Sequence, residues 1–267
     1  MSHAHEHNRR AWDERARRRD RHTEMATEQD FRNPLAAVDD LGWLGGNVRD
    51  KRVLCLAAGG GKHGGLLAAA GAVVTVVDLS PAMLEQDRRM AFERGFSLRL
   101  VEASMTDLSM LPVAGFDVVL QPVSTCYVPD ILAVYREVAR VTAPGGLYIS
   151  QHKQPASMQA EVLPSGRGYL VTEPCQRSEA LPSVLPGCLH REAGTVEFLH
   201  RWEELIGGLC RAGFVVEDLV EPRHGDPQAG PGSFGHRSLF LPPFVSMKAR
   251  RVGPLAALAA SGLWVPN

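Results

Sequence analysis

The 267-residue sequence has little net charge, few cysteines and no long apolar run. Its 29 Lys and Arg residues balance 30 Asp and Glu residues, so no overall electric field favours nucleic acid or an anionic membrane. Five cysteines without any C-x-x-C pair argue against a disulfide framework or a zinc ribbon and favour a reducing compartment. No stretch approaches the roughly 20 apolar residues that span a bilayer, and the Arg-rich N-terminus has no apolar signal region. We therefore expect a cytoplasmic protein without a metal site.

The first 50 residues form a polar N-terminal extension. The segment "NRRAWDERARRRDRHTEM" lacks Pro and Gly, and it predicts a helix from Asn8 to about Met25. Seven arginines in this segment are interleaved with acids, which favours a solvated helical face over an RNA-binding arm. His3, His5 and His7 alternate at the terminus and have the character of a tag or a disordered segment.

Residues 51–152 alternate buried strands with helices, which predicts a doubly wound α/β fold around a parallel sheet. The strand runs are continuous in Val, Ile and Leu, as expected of strands that are covered on both faces. Ser80 and Pro81 suit the start of the helix that follows the second strand. The predicted strands are "RVLCLA", "AVVTVVD", "SLRLVE", "FDVVLQP" and "GGLYISQ".

The alternation breaks after residue 152. Residues 153–199 are rich in Pro and Gly, which argues against a long helix, and we interpret them as a cap over the ligand cleft. Residues 200–250 resume with the helix "WEELIGGLCRAG" and the strands "FVVEDLVE" and "FVSMKAR", which complete the sheet. The apolar tail, residues 251–267, is expected to pack back on the body.

The stretch "VLCLAAGGGKHGG" has the form of a nucleotide cradle. Gly59, Gly61 and Gly64 satisfy G-x-G-x-x-G between a strand and a helix, and Asp78 ends the next strand about 20 residues on. Such glycines let the backbone approach a ligand, and such an acid accepts hydrogen bonds from ribose hydroxyls. The pattern indicates a nucleotide with a ribose, either a dinucleotide or S-adenosylmethionine. A Walker loop is excluded, since His63 follows Lys62 where Ser or Thr is required.

Six motifs, taken in their order along the chain, favour one of these two ligands. Together "VLCLAAGGG", "VVTVVDLSPAML", "LVEASMTDLSML", "FDVVLQPVS", "EVARVTAPGGLYIS" and "LCRAGFVVEDL" resemble class I S-adenosylmethionine-dependent methyltransferases, over roughly residues 51–221. The resemblance implies a Rossmann-like, mostly parallel seven-stranded sheet with N-terminal helices and an inserted cap. It also implies S-adenosylmethionine as cofactor, S-adenosylhomocysteine as product and in-line transfer of the methyl group, for which positioning and desolvation supply most of the rate.

The resemblance also implies a cofactor site at the ends of the first four strands. Asp78 would bind the ribose hydroxyls, and Leu79 would lie along the adenine. Gln121 would face the methionine end of the cofactor or the substrate. The implied set is Ala57, Gly59, Gly61, Asp78, Leu79, Ser104, Met105 and Gln121.

The sequence departs from the family at the first strand. Cys55 stands where the family often has an acid that orients the methionine amino group, and Ala57 replaces the first glycine. A cysteine in a buried strand behaves as a small hydrophobic residue. We therefore expect Cys55 in the core and the amino group held by backbone carbonyls around Ala57 and Gly59.

Three residues are candidates for the acceptor side. His152 and His200 are candidate bases, since histidine titrates near neutral pH, and Tyr127 is a candidate to line the acceptor pocket. The fourth-strand motif "QPVS" differs from the Asn/Asp-Pro-Pro-aromatic run of enzymes that methylate base amines, which favours a small-molecule acceptor. Three alternatives remain open: a non-catalytic S-adenosylmethionine-binding protein, an NAD(P)-dependent oxidoreductase and an RNA methyltransferase. The oligomeric state is not indicated.

Overall fold

A computed structural model describes residues 3–253 and contains one seven-stranded sheet flanked by helices. The strands are β1 (Arg52–Leu56), β2 (Val73–Asp78), β3 (Leu98–Glu102), β4 (Phe116–Gln121), β5 (Thr142–Lys153), β6 (Phe214–Val220) and β7 (Phe244–Arg251). The helices are α1 (His3–Arg18), α2 (Glu28–Arg32), α3 (His63–Ala69), α4 (Pro81–Arg94), α5 (Ile131–Val141), α6 (Pro155–Gln159), α7 (Gly208–Arg211) and α8 (Phe234–Ser238). A 3₁₀ turn covers Thr125–Tyr127, and a π-helical turn, Glu203–Gly207, leads into α7.

The sheet has the order β3-β2-β1-β4-β5-β7-β6. Strands β1 to β5 are parallel to one another, whereas β7 runs antiparallel to both β5 and β6. One core lies between the sheet and α5, around Tyr135 and Tyr148, and a second lies on the opposite face, around Cys55 and Val76. The predicted doubly wound, mostly parallel, seven-stranded fold is confirmed, and Cys55 is fully buried.

The N-terminal helix differs from its prediction at both ends. Helix α1 spans His3–Arg18 and therefore includes the three histidines that the sequence suggested were tag-like or disordered, so that prediction is wrong. His7 Nε2 lies 2.9 Å from the carbonyl oxygen of Gly194, which anchors the first turn. The helix ends before Met25 because Arg19, with φ 56°, leaves the helical region.

Helix α4 begins after β2, where the sequence predicted a helix. Ser80 Oγ accepts the Met83 amide at 3.1 Å, Pro81 occupies the first turn, and Gly95 ends the helix at φ 69°. These are the local signals that favour a helix start and a left-handed end. They start α4 three residues after the last residue of β2.

The segment between β5 and the π-helical turn contains α6 and two isolated β-bridges, and no long helix, within the described residues. The fully buried Arg237 of α8 holds this segment in place, because its guanidinium donates to the carbonyls of Ser157, Ala160 and Glu161. The predicted packing of the apolar tail lies largely outside the described residues. No helix among residues 3–253 has the length and apolar character needed to cross a bilayer.

Candidate active site

A cavity of about 380 Å³ opens at the carboxyl edge of the sheet. Its lining runs along the strand order, from the residues after β3, through those after β2, β1 and β4, to β5 and β7. Helix α1 and the segment that follows it supply further lining residues, and Glu192 comes from the segment after β5. The volume is in the range of small-molecule sites, and the crevice outside the carboxyl ends of the strands is where open α/β sheets bind ligands.

The glycine loop after β1 lies against Asp78. Asp78 Oδ2 accepts the Gly59 amide at 2.9 Å, and Oδ1 accepts the Ser80 amide at 2.9 Å. Burial raises the pKa of Asp78, and these backbone donors oppose the rise. A Cβ on Gly59 would lie 2.9 Å from Met83 Cβ and 3.0 Å from Asp78 Oδ2, so only glycine fits. Each carboxylate oxygen keeps an acceptor site that can take a ribose hydroxyl.

Two other residues of the loop were predicted to bind the cofactor, and only one of them lines the cavity. Gly61 does not line the cavity; its carbonyl accepts the Ala26 amide at 3.2 Å, and a Cβ there would meet the Gln86 carbonyl at 3.1 Å. Its role is to let the loop pack against α4 and the N-terminal segment. Ala57 does line the cavity and holds a left-handed backbone conformation, φ 49°, that costs an L residue about 1 to 2 kcal/mol.

A buried carboxylate that sequence reasoning missed supports this loop from below. Asp87 of α4 accepts the Gly60 amide at 2.9 Å through Oδ2, while Oδ1 has no hydrogen-bond partner. Burial raises the pKa of Asp87 to about 7, and the nearby Asp78 charge adds to the rise. The available signal was periodicity: Asp87 falls on the buried face of α4, between Met83 and Met90.

Three residues predicted to surround the adenine lie after β2 and β3. Leu79, Ser104 and Met105 all line the cavity. Ser104 Oγ lies 2.8 Å from Thr106 Oγ1 and 3.5 Å from His5 Nε2. The structure therefore brings these residues together with Asp78 and Gly59 at one edge of the sheet.

Gln121 was expected to face the cavity, but it does not line it. Its Nε2 donates to Ser124 Oγ at 2.9 Å, and its Oε1 accepts the Tyr148 hydroxyl at 2.7 Å. With 1% of its surface exposed, the side chain belongs to the core. The cavity is lined after β4 by Pro122, Val123 and Ser124 instead.

The two histidines suggested as bases also lie outside the cavity. His152 Nδ1 lies 2.8 Å from Thr125 Oγ1 and its Nε2 lies 2.8 Å from Ser150 Oγ, and burial lowers its pKa to about 3. His200 is buried and its Nε2 lies 2.9 Å from the Thr125 carbonyl oxygen. Since strand side chains alternate, Gln151 reaches the cavity and His152 points away from it.

Tyr127 lines the cavity as expected and belongs to a buried ionic cluster that the sequence did not reveal. Its hydroxyl donates to Glu192 Oε2 at 2.9 Å. Lys153 Nζ donates to Glu192 and Glu197, and Arg191 donates to Glu197. Burial alone would raise the pKa of Glu192, but Lys153 and these hydrogen bonds lower it below its ordinary value, so the carboxylate stays ionised. No local pattern links these positions, which meet only in the folded chain.

Helix α1 covers the cavity and is tied down at two points. Asn8 donates to the carbonyls of Tyr127 and Val196, at 3.1 and 2.9 Å. Asp13 Oδ1 accepts the Ser80 hydroxyl at 2.6 Å and the Ala82 amide at 3.1 Å, at the start of α4. Trp12 contacts the Tyr127 ring edge-on, with 5.6 Å between centroids. The N-terminal extension is therefore part of the site.

The lining suits an adenosyl cofactor. Gly59 leaves room for close approach, Asp78 is exposed to the cavity, and the apolar Leu79 and Met105 flank the far side. The fully buried Cys55 thiol, whose pKa burial raises, offers no carboxylate to an amino group. Backbone carbonyls near Ala57 and Gly59 thus remain the candidates for that contact.

Comparison with known proteins supports the same conclusion. A family model described as a methyltransferase domain matches residues 54–150. The uncharacterized methyltransferase YbaJ of Bacillus subtilis is 36% identical over 181 residues, which cover 67% of this chain and 71% of that protein.

Solved structures share the fold. A methyltransferase from Mesorhizobium loti, which is S-adenosylmethionine-dependent, superposes with a TM-score of 0.63 at 22% identity, covering 82% of this chain and all of that one. The 1,6-didemethyltoxoflavin-N1-methyltransferase of Burkholderia thailandensis, with bound 1,6-didemethyltoxoflavin and S-adenosylhomocysteine, superposes with a TM-score of 0.55 at 19% identity, covering 95% and 92%. The chain belongs to the class I S-adenosylmethionine-dependent methyltransferases.

Proposed function

We propose that this methyltransferase acts on a small molecule held in the covered cavity. The observation that carries the proposal is the continuity of the cavity, which joins the glycine loop and Asp78 to a second half lined by Tyr127, Gln151 and Phe244. Helix α1 covers both halves, so the acceptor would react in a site screened from water. The bound small molecule in the Burkholderia thailandensis relative supports this acceptor class.

The proposed cofactor contacts follow the geometry of the lining. Asp78 would accept the ribose hydroxyls, Gly59 would allow the backbone to approach, and Leu79, Ser104 and Met105 would surround the adenine. The cofactor supplies an electrophilic methyl group. The chain's residues orient it, exclude water and place the acceptor in line, which is the main source of rate in such a displacement.

The surface charges of α1 favour a small molecule over RNA. Arg10 pairs with Glu6, and Arg18 pairs with Glu14, so part of the arginine charge on this helix is balanced on its own face.

The five cysteines, unpaired in the described part of the chain, support a cytoplasmic location. We take residues 51–152 as the cofactor-binding core, 153–199 as the cap and 200–250 as the completion of the sheet.

Calorimetric titration tests the cofactor contacts directly. S-adenosylmethionine and S-adenosylhomocysteine should bind, whereas NAD(H) and NADP(H) should not. Asp78→Asn should weaken binding about 10- to 100-fold, the range expected when a charged hydrogen-bond acceptor becomes neutral. The exposed Asp40→Asn variant is the matched control and should bind as the wild type does. Equal binding by Asp78→Asn would refute the assignment.

Turnover tests the acceptor class. Formation of S-adenosylhomocysteine with members of a small-molecule panel, but not with RNA, is the expected result. Turnover with RNA alone would overturn the proposal. A protein that binds the cofactor but never forms S-adenosylhomocysteine with any acceptor would instead be a binding protein.

A further inference from the structure

The half of the cavity over β4 and β5 contains a histidine backed by a carboxylate. His22 lines the cavity with 44% of its side chain exposed, and its Nε2 lies 3.9 Å from Oε1 of Glu192. Glu192 also lines the cavity, and its other oxygen is held by Tyr127 and Lys153. The oxygen turned toward His22 is therefore the one that these two donors leave available.

The backbone at His22 is held in an uncommon conformation. Its φ of 70° lies in the left-handed region, which few residues other than glycine adopt. Such conformations cost free energy and cluster at functional sites, where the surrounding structure holds them. Here the next segment is fixed by the bond between the Ala26 amide and the Gly61 carbonyl, so the turn is tied to the glycine loop.

The sheet order places His22 beside the acceptor half of the cavity. Glu192 contacts Tyr127, which follows β4, and Lys153, the last residue of β5, and β4 and β5 lie on the side of β1 away from Asp78. The glycine loop lies between the two halves. His22 lies beside Glu192, and the segment that follows it is hydrogen-bonded to the glycine loop. His22 is therefore next to the place where the methionine end of the cofactor and an acceptor would meet.

The other cavity histidines are less suited to accept a proton there. His5 lies on the adenine side, 3.5 Å from Ser104 Oγ. His63 begins α3 beside Lys62, and burial together with the Lys62 charge lowers its pKa to about 4. Tyr127 is a donor in this cluster, since burial and the Glu192 charge raise its pKa well above the ordinary value.

We propose that His22 is the general base for an acceptor that carries its proton on a hydroxyl or amine group, and that Glu192 is its positioning residue. In the step, a lone pair of the acceptor oxygen or nitrogen forms the new bond to the methyl carbon. The electron pair of the broken carbon–sulfur bond stays on sulfur, giving S-adenosylhomocysteine, and the acceptor proton passes to His22. Glu192 then faces the imidazolium with its negative charge. This inference rests on the proposed function.

The charges around His22 set the direction of its titration. Burial lowers the pKa of His22, and Arg21 and Arg15 lower it further, whereas Glu192 and Glu24 raise it. The imidazole is thus neutral and able to take a proton at neutral pH. Loss of the Glu192 charge should lower the pKa further.

The first experiment measures this coupling without an acceptor. Nuclear magnetic resonance of ring-¹⁵N histidine in the S-adenosylhomocysteine complex gives the pKa of His22, assigned by the signal that His22→Gln removes. Glu192→Gln should lower that pKa by about one unit, and Glu217→Gln, a surface ion-paired carboxylate, should leave it unchanged. A change below 0.2 units in Glu192→Gln would overturn the proposal. Thermal melts test whether each variant folds. If Glu192→Gln does not fold, the second experiment still tests the proposal, because it uses His22→Gln, which leaves the ionic cluster intact.

The second experiment asks whether the proton matters. Phenol, which keeps its proton at pH 7.5, and thiophenol, which is already a thiolate, serve as probe acceptors in single turnovers. His22→Gln should slow methylation of phenol about 100-fold or more, as expected for loss of a general base, and should change that of thiophenol less than about threefold. Equal slowing of both probes, or of neither, would contradict a base. Absence of S-adenosylhomocysteine binding by the wild type would refute the proposed function itself, whereas intact binding without His22 coupling refutes only this inference.

Discussion

Replacing Asp87 by asparagine should change how the stability of the protein depends on pH. The Asp87 carboxylate is fully buried, and burial raises its pKa from 3.8 to about 7. In the unfolded chain this carboxyl ionises near its ordinary value, so between pH 4 and 7 the folded protein binds more protons than the unfolded one. The free energy of unfolding therefore falls as pH rises through this window and levels off above pH 7.

The size of this effect follows from the pKa difference. About three units at 1.36 kcal/mol per unit correspond to about 4 kcal/mol for Asp87. Since the unfolded carboxyl is already largely ionised at pH 5, about 2.5 kcal/mol of the change falls between pH 5 and pH 8. Asparagine has no such ionisation and can still accept the Gly60 amide.

Urea unfolding at pH 5, 6, 7 and 8 measures the effect. The difference in unfolding free energy between the wild type and Asp87→Asn should move by about 2.5 kcal/mol across this range, in favour of the variant at high pH. Asp40→Asn, at an exposed position, should follow the wild type throughout. Parallel curves for the wild type and Asp87→Asn would show that the buried carboxylate has a compensating partner, and the reasoning would be refuted.

Three further predictions concern the loop, the covering helix and the cap. Ala57→Gly should raise the free energy of unfolding by about 1 kcal/mol in urea titrations, because φ 49° strains alanine and not glycine; a loss of stability would contradict this. Asp13→Ala should speed release of S-adenosylhomocysteine about 10-fold in stopped-flow dissociation, because two hydrogen bonds that hold α1 on α4 are lost, and an unchanged rate would show that α1 does not gate exit. Arg237→Met should cost about 3 kcal/mol in urea unfolding, because the carbonyls of Ser157, Ala160 and Glu161 lose their donor in a buried site; a cost under 1 kcal/mol would show that these carbonyls find other donors.

The fold was predictable because its signals are local. Continuous Val runs such as Val73–Asp78 are typical of strands that are covered on both faces, and the Ser80-Pro81 pair marks the start of α4. The glycine loop and Asp78 were predictable for the same reason, since their spacing along the chain fixes their proximity across β1 and β2. Recognition of the motifs added the cofactor.

The residues of the proposed acceptor side were not predictable, because they meet only through tertiary packing. His22 and Glu192 are 170 positions apart in sequence and are joined by docking of α1 and the cap. His152 was selected for its place at the end of a strand, yet strand alternation turns it into the core and leaves Gln151 in the cavity. A shift of one residue thus decides which side chain can take part in the chemistry.

The ties at Asn8 and Asp13 have a consequence for the speed of the catalytic cycle. Where a cofactor seated under α1 exchanges past this helix, the bonds to Tyr127, Val196 and Ser80 must open first. Where such an opening is slower than the chemical step, the first turnover precedes a slower steady state, as in other enzymes limited by product release. Steady-state rates would then measure the opening of a helix, and the acceptor's own reactivity would show only in the first turnover.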